Sequence, residues 1–241
     1  MESFESNEVN ETNENVNFQS RINLDPLKTS VDKIRHELGK VIVGQHKMID
    51  QLIVSILANG HILLEGVPGV AKTLTAKLLS KSMALDFSRI QFTPDLMPSD
   101  IIGTSVFDLS KSSFEFKKGP VFSNFILIDE INRAPAKTQA ALFEVMEERQ
   151  ITVDGKTYIM DEPFLVIATQ NPIEQEGTYP LPEAQLDRFM FSINLDYPSF
   201  AEEVLVVKST TSDLKQTINP LFTAQEIIDF QHLIRRIPVA D

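Results

Sequence analysis

The sequence contains no cysteine and no tryptophan, and its four histidines lack the spacing of a metal-binding motif. Without cysteine, the chain forms neither disulfide bonds nor cysteine-based zinc sites. No apolar run approaches the roughly 20 residues that cross a bilayer. The N-terminus also lacks the basic segment followed by an apolar stretch that is typical of a signal peptide. We therefore expect a cytoplasmic protein without membrane insertion.

Basic residues are scarce relative to acidic ones, with 22 lysines and arginines against 34 aspartates and glutamates and a net charge of −12. Basic runs are no longer than two residues, as at Lys117-Lys118. A negatively charged chain repels phosphate backbones at long range, so we predict no nucleic-acid partner. Residues 1–20 are rich in asparagine and glutamate without any lysine or arginine, which predicts a disordered acidic tail.

The stretch His61–Thr73 has the layout of a phosphate-binding loop: an apolar run, a glycine turn, Lys-Thr and a helical pattern. A helix start directs free backbone N–H groups and the positive end of its dipole at one point. Lys72 can reach the β and γ phosphates, and the Thr73 hydroxyl can bind Mg²⁺. The predicted nucleotide-binding residues here are Gly66, Val67, Pro68, Gly69, Val70, Ala71, Lys72, Thr73 and Leu74.

One position departs from the general loop pattern, which calls for a glycine where this chain has Ala71. Alanine tolerates helical backbone angles, so Ala71 can already belong to the helix, and we expect the loop to bind phosphate. A glycine-containing connection between a strand and a helix, with no ligand, would give a similar local pattern. The sequence downstream must decide between these two interpretations.

A second segment, Phe125–Glu130, consists of consecutive apolar residues followed by two carboxylates. Such a run is typical of a central parallel strand that is buried on both faces. Ligands bind at the carboxyl ends of these strands. Asp129 is suited to hold Mg²⁺, directly or through water, and Glu130 is suited to polarise a water for attack on the γ-phosphate. The alternative is a strand that simply ends in charges.

Two further segments are candidates for the same site. The buried-type strand Phe164–Thr169 ends at Gln170 and Asn171, where an amide beside the acidic pair could orient the attacking water. A turn-forming Asn-Pro explains Asn171 equally well. Upstream of the loop, Val43 and Gly44 belong to a short apolar segment that could wall an adenine ring, with core packing as the alternative.

The remaining pattern predicts an α/β fold with a parallel five-stranded sheet and helices. Two β-hairpins interrupt it, at 103–122 and at 151–159, and an Asp-Gly pair in the second predicts a type I′ turn. The aromatic residues of the first hairpin could form a contact surface or the hairpin's own packed face. We predict three parts: the tail at 1–20, an α/β nucleotide-binding domain at 21–198, and the start of a small helical lid domain at 199–241.

The order of these motifs resembles the AAA+ ATPases, and within them the MoxR family. The matching segments fall between about residues 24 and 241 and comprise 63–73, 91–96, 129–135, 146–150, 168–172 and 181–189. The resemblance implies a P-loop NTPase (AAA+) fold with helices on both faces of the sheet and ATP and Mg²⁺ as cofactors. It also implies ATP hydrolysis that drives chaperone-like remodelling or maturation of a partner protein or complex.

The resemblance further implies a role for each site residue. Gly66–Thr73 corresponds to the Walker A loop, Asp129 and Glu130 to Walker B, and Asn171 to sensor 1. Arg188 corresponds to the arginine finger, which acts on the γ-phosphate of a neighbouring subunit. A finger acting in trans implies a homo-oligomeric ring, in this family a hexamer. Relatives often act with partners that carry a von Willebrand A domain.

Several alternatives stay open. Arg133 and Arg149 are weaker candidates for interface or sensing arginines, or they form surface salt bridges. The family's sensor 2 arginine is expected later than this sequence extends, so we expect a partial lid and consider a nucleotide-gated binding module with little turnover. An ATPase subunit of a metal chelatase is a related alternative. A GTPase is disfavoured because the Asn-Lys-x-Asp guanine signature is absent, and a nucleic-acid motor is disfavoured by charge.

Overall fold

The computed structural model describes residues 22–66, 71–171, 178–195, 197–210 and 218–238. The predicted acidic tail at 1–20 lies outside the described residues. So do four of the predicted loop residues, namely Val67, Pro68, Gly69 and Val70.

Helices and strands alternate along most of the described chain. The helices are α1 (Asp25–Gly39), α2 (His46–Ala58), α3 (Lys72–Ser82), α4 (Pro98–Ile102), α5 (Ala136–Glu148), α6 (Glu183–Leu186), α7 (Phe200–Thr210) and α8 (Ala224–Arg235). The strands are β1 (His61–Gly66), β2 (Phe87–Gln91), β3 (Gly103–Asp108), β4 (Ser113–Lys118), β5 (Phe125–Asp129), β6 (Gln150–Val153), β7 (Lys156–Ile159), β8 (Leu165–Gln170) and β9 (Phe189–Leu195). None of the helices in the described ranges is both long enough and apolar enough to span a membrane.

Five strands form one parallel sheet in the order β2-β5-β8-β1-β9. This confirms the predicted five-stranded parallel sheet. Every residue of β5 is buried, as its apolar run requires for a strand covered on both faces. The order places β8 between β5 and β1, so the strand ends that carry the predicted site residues lie at one edge of the sheet.

Alternate residues of the central strands face two separate hydrophobic clusters, because successive side chains of a strand point to opposite faces. On one face, Ile62 and Leu64 of β1 pack with apolar residues of α1, α2, α3 and α8. On the other face, Leu63 packs with residues of α4, α5 and the connecting segments. Helices therefore cover both faces, as expected for this fold class.

Two antiparallel hairpins, β3–β4 and β6–β7, form two-stranded sheets separate from this one. Asp154 and Gly155 both have positive φ, 51° and 74°, as a type I′ turn requires. The aromatic residues of the first hairpin differ in their exposure. Phe116 packs against Tyr158 of β7, with ring centroids 4.7 Å apart. Phe114, by contrast, is 73% exposed.

The segment around α8 packs against the α/β core. Ile218, Phe222 and Ile227 belong to the same apolar cluster as α1 and α2. The buried Gln231 of α8 donates a hydrogen bond from Nε2 to the carbonyl of Ile56 at 2.6 Å. The N-terminus of α8 is closed by a capping box between Thr223 and Glu226. The domain boundary at 198 stays a prediction.

Candidate functional site

A cleft of about 410 Å³ opens where the central strands end. Apart from the four loop residues outside the described ranges, the predicted phosphate-binding, metal-binding and water-orienting residues share it. The lining residues are Gly66, Ala71, Lys72, Thr73, Leu74, Arg89, Gln91, Asp129, Glu130, Thr169, Gln170 and Asn171. Residues far apart in the sequence thus meet at the place where open α/β sheets bind ligands.

The helix below this cleft begins at Lys72, so the interpretation that Ala71 can already belong to it was wrong. Ala71 lies in the left-handed region, with φ 57° and ψ 19°. Its carbonyl nevertheless accepts hydrogen bonds from the Thr75 backbone N–H at 2.9 Å and the Thr75 hydroxyl at 3.0 Å. The chain therefore turns sharply at Ala71 before entering α3. A Cβ in this conformation costs about 1–2 kcal/mol, which explains why the general loop pattern has glycine there.

Gly66 ends β1 against the neighbouring strand. Its φ is 151°, and a Cβ added there would lie 2.5 Å from the Leu195 carbonyl oxygen. A residue larger than glycine would therefore push β1 and β9 apart at the mouth of the cleft.

Lys72 is tied to the end of β1, because its Nζ donates to the Gly66 carbonyl at 2.9 Å. Burial lowers the pKa of the Lys72 ammonium, while the nearby charges of Asp129 and Glu130 oppose that shift. Next to it, Thr73 lines the cleft with a half-buried side chain. The start of α3 therefore presents an ammonium and a hydroxyl to one space, together with the free N–H groups of a helix N-terminus.

Asp129 is the last residue of β5 and is only 8% exposed. Its Oδ2 lies 2.5 Å from Nε of Arg89 on the adjacent strand β2. Its Oδ1 lies 3.4 Å from the Thr169 hydroxyl at the end of β8. The carboxylate is thus held in the cleft by a residue from each neighbouring strand.

Glu130 follows Asp129 in a left-handed backbone conformation, with φ 58° and ψ 52°. Its N–H donates to the Thr169 hydroxyl at 3.0 Å. Its Oε2 accepts hydrogen bonds from Gln91 Nε2 at 3.0 Å and pairs with Arg133 Nε at 2.9 Å. A strained backbone at a residue other than glycine persists where surrounding contacts hold it, and such positions concentrate at functional sites.

Arg188 lies away from the cleft on its own chain. It immediately precedes β9, whose first residue, Phe189, pairs with His61 at the start of β1. The cleft lies at the other end of β1, about 17 Å along a six-residue strand. The Arg188 guanidinium instead forms an ion pair with Glu147 of α5. Its buried Nε has no hydrogen-bond partner in the part of the chain that the structure describes.

The predicted adenine-side residues also lie apart from this cleft. Val43 and Gly44 fall between α1 and α2, and neither is among the described residues that line it. Gly44 has φ 77°, and a Cβ there would lie 2.2 Å from a carboxylate oxygen of Glu202 on α7. Their role in nucleotide binding stays a prediction.

The two weaker arginine candidates differ in their surroundings. Arg133 is half-exposed and pairs with Glu130 inside the site. Arg149 is half-buried and donates to the backbone carbonyls of Asn59 and Phe164 at 2.9 and 3.1 Å. Arg149 therefore fastens the segment before β1 to the segment before β8.

Sequence reasoning missed three residues of the cleft, Arg89, Gln91 and Thr169. Arg89 and Gln91 alternate along β2, so they share one face of the sheet. The alternation was visible in the sequence, but only the strand order shows that β2 lies beside β5. Gln91 and Thr169 lie in the matching segments 91–96 and 168–172, but the motifs by themselves assign no role to either side chain.

Comparison with known proteins adds an independent line of evidence. Residues 61–191 match the family model of the ATPase family associated with various cellular activities (AAA). The chain is 55% identical over 174 residues to "Chaperone MoxR1" of Mycobacterium tuberculosis, which covers 72% of this chain and 46% of that protein. It is 46% identical over 210 residues to the protein YeaC of Bacillus subtilis, which covers 87% of this chain and 66% of that protein.

A solved structure agrees with these matches. A crystal structure of a proposed ATPase from Cytophaga hutchinsonii superposes with a TM-score of 0.78 at 49% identity, covering 90% of this chain and 68% of that one. The matched region spans about half of the mycobacterial relative and about two thirds of the Bacillus relative. Membership of this ATPase family implies nucleotide binding. On the family match, the sequence identities and the shared fold, the chain belongs to the MoxR family of chaperone-like AAA+ ATPases.

Proposed function

We propose that this chain binds ATP with Mg²⁺ in the cleft and hydrolyses it to drive the remodelling or maturation of a partner protein. The observation that carries this proposal is the meeting of Lys72 and Thr73 with Asp129, Glu130 and Asn171 around one cleft of about 410 Å³. The first pair suits the phosphates and the metal, and the other three suit the metal and the attacking water.

The donor set fits Mg²⁺. Mg²⁺ prefers hard oxygen ligands, and it usually binds through one or two protein groups, substrate phosphates and retained waters. The Thr73 hydroxyl and the Asp129 carboxylate are such groups and line the same cleft. Within the described ranges, no cluster of three or more His, Cys, Asp or Glu side chains could form an all-protein metal cage. Bound Mg²⁺ would neutralise charge on the β and γ phosphates.

The remaining groups of the cleft suit distinct roles. The Lys72 ammonium would contact phosphate oxygens in place of the Gly66 carbonyl that it now contacts. Glu130 would accept a proton from the attacking water, and Asn171 would orient that water. Thr169 supports both carboxylate residues, because its hydroxyl contacts Asp129 and the backbone of Glu130.

A complete site also calls for a second copy of the chain. Arg188 precedes β9 at the opposite end of β1 from the cleft, which is farther than its own side chain can reach. This supports a finger that acts in trans on the nucleotide of a neighbouring subunit. Such a head-to-tail contact repeats around a closed ring, and we propose the hexamer typical of the family. A partner carrying a von Willebrand A domain is part of the same proposal.

Phosphate release tests the proposal, measured for the wild type and for Glu130→Gln alongside binding of a fluorescent ADP analogue. We expect both proteins to bind the nucleotide with similar affinity. The variant should release phosphate at least about a hundredfold more slowly, because general-base catalysis typically contributes that much. Equal turnover of the two proteins would refute the assigned role of Glu130. Failure of the wild type to bind nucleotide would refute the whole proposal.

A second candidate function is a nucleotide-gated binding module with little turnover. The observation that favours it is the double contact on Glu130, whose Oε2 is held by Gln91 and by Arg133. A carboxylate held by two partners must give up one of these contacts before it can turn toward an attacking water. Tight nucleotide binding with no measurable phosphate release by the wild type, even at high protein concentration, would favour this function over hydrolysis.

A further inference from the structure

Among the described residues that line the cleft, Arg89 forms the shortest ion pair, although none of the motifs in the sequence includes it. Its Nε lies 2.5 Å from Oδ2 of Asp129. The two side chains differ in exposure, at 52% for Arg89 and 11% for Asp129. The carboxylate is therefore fixed in the floor of the cleft, whereas the arginine reaches it from the solvent side.

Strand register explains how this contact forms. Arg89 of β2 is paired with Leu127 of β5, and Gln91 is paired with Asp129. Arg89 thus reaches diagonally to a side chain two residues further along the neighbouring strand, within the range of a long side chain. On the same face, Gln91 contacts Glu130. The edge strand β2 supplies a separate partner to each of the two carboxylates.

From this geometry we infer that, in the nucleotide-free protein, the Arg89 guanidinium occupies the place beside Asp129 that a metal cation would take. It thereby sets the Mg²⁺ concentration that nucleotide binding requires. A guanidinium stays protonated at any physiological pH, so it cannot release Asp129 by losing a proton and must move away. Its half-exposed side chain has solvent to move into. This inference rests on the proposed function, because Asp129 is a metal ligand only there.

A magnesium titration tests the inference. A fixed concentration of a fluorescent ADP analogue is mixed with protein, and Mg²⁺ is added until binding saturates. Arg89→Gln should lower the half-saturating Mg²⁺ concentration by about five- to tenfold, more than for a fully exposed ion pair because Asp129 is mostly buried. An unchanged half-saturating concentration would overturn the inference.

Arg133→Gln is the matched control. It removes the same charge from beside the cleft, but Arg133 pairs with Glu130 at 2.9 Å rather than with Asp129. We expect its half-saturating Mg²⁺ concentration to stay within about twofold of the wild type, because an exposed pair contributes little. An equal shift in both variants would show that the general charge of the cleft is responsible, and it would overturn a specific competition at Asp129.

A second measurement avoids nucleotide altogether. Mn²⁺ binding to the nucleotide-free protein, followed by electron paramagnetic resonance of the free ion, should be tighter in Arg89→Gln than in the wild type. The further change Asp129→Asn should abolish that difference. Thermal unfolding of each variant checks that it is folded. If Arg89→Gln is unfolded, Arg89→Lys, which keeps the charge, replaces it. Arg89→Lys should lower the half-saturating Mg²⁺ concentration by a smaller factor.

The two proposals fail in different ways. A wild type that binds no nucleotide at any Mg²⁺ concentration overturns both of them. A wild type that binds nucleotide with a clear Mg²⁺ requirement, beside an Arg89→Gln variant with the same requirement and the same Mn²⁺ affinity, overturns only the role of Arg89.

Discussion

Thr169 offers the sharpest test of how the fold supports the proposed chemistry. Its hydroxyl accepts the Glu130 N–H at 3.0 Å and lies 3.4 Å from Asp129 Oδ1. Thr169→Val keeps the shape of the side chain and removes both contacts. Thr169→Ser keeps the hydroxyl and removes only a methyl group, so it is the matched control.

The magnitude follows from two terms of similar size. Leaving a backbone N–H without its partner costs about 1–3 kcal/mol when it is buried. Glu130 also holds a left-handed conformation, which costs about 1–2 kcal/mol for a residue with a Cβ. Without the hydroxyl, the contacts of the Glu130 side chain with Gln91 and Arg133 must hold this backbone conformation against its relaxed alternatives. We expect Thr169→Val to lose about 1–2 kcal/mol of unfolding free energy and to displace the Glu130 carboxylate.

Three assays separate these effects. Urea unfolding gives the stability, fluorescent nucleotide binding gives the affinity, and phosphate release gives kcat. For Thr169→Val we expect nucleotide affinity within about threefold of the wild type and kcat lower by at least about tenfold, since general-base catalysis depends on position. Thr169→Ser should resemble the wild type in all three. If the valine variant lost stability but kept its kcat, the link between Thr169 and Glu130 catalysis would be refuted.

Two other predictions concern the stability of the fold. Burial, and secondarily the charge of Arg149, lower the pKa of His61 from 6.5 to about 4. Between those pH values the unfolded chain binds a proton at His61 that the folded chain does not bind. The contribution of neutral His61 to the unfolding free energy should therefore be complete above pH 6.5, and the unfolding free energy should fall by up to about 3 kcal/mol as the pH is lowered to 4. Urea unfolding across this range should show a flatter profile for His61→Gln, and parallel profiles would contradict the assignment. Ala71→Gly should raise the unfolding free energy by up to about 1 kcal/mol in the same assay, because glycine adopts the left-handed conformation without strain. The variant should bind nucleotide with unchanged affinity. A loss of stability would show that Ala71 carries no strain.

Much of the site could be predicted because each of its main segments carries a recognisable local sequence pattern. The apolar runs of β1, β5 and β8 lead within two residues to Gly66, to Asp129-Glu130 and to Gln170-Asn171, respectively. A buried strand that ends in polar groups indicates a ligand-binding edge of the sheet even when its neighbouring strands are unknown. For these segments, the type of element and the position of the polar residues were both encoded within about ten consecutive residues.

The rest depended on contacts that a single segment does not encode. The sequence around Arg89 and Gln91 indicated a strand, but its place beside β5 follows from how the whole sheet assembles. The left-handed Ala71 could not be foreseen either, because alanine ordinarily favours helical angles and only the turn into α3 forces another conformation. Both failures have the same origin, since tertiary packing overrides local preference at the site itself.

The position of Arg188 at the far end of β1 from the cleft has a consequence for genetics. If each catalytic unit combines the cleft of one copy with the arginine of the next, a mutation in the cleft inactivates the unit at that copy's own cleft. A mutation of the arginine inactivates the unit at the neighbouring copy's cleft. A Glu130→Gln copy still lends an intact arginine, and an Arg188→Ala copy still has an intact cleft. Mixed in equal amounts in one assembly, two inactive proteins would regain about one complete unit in four, as expected for a repeated head-to-tail contact. Alleles of this protein that are each null alone would then complement one another in the same cell.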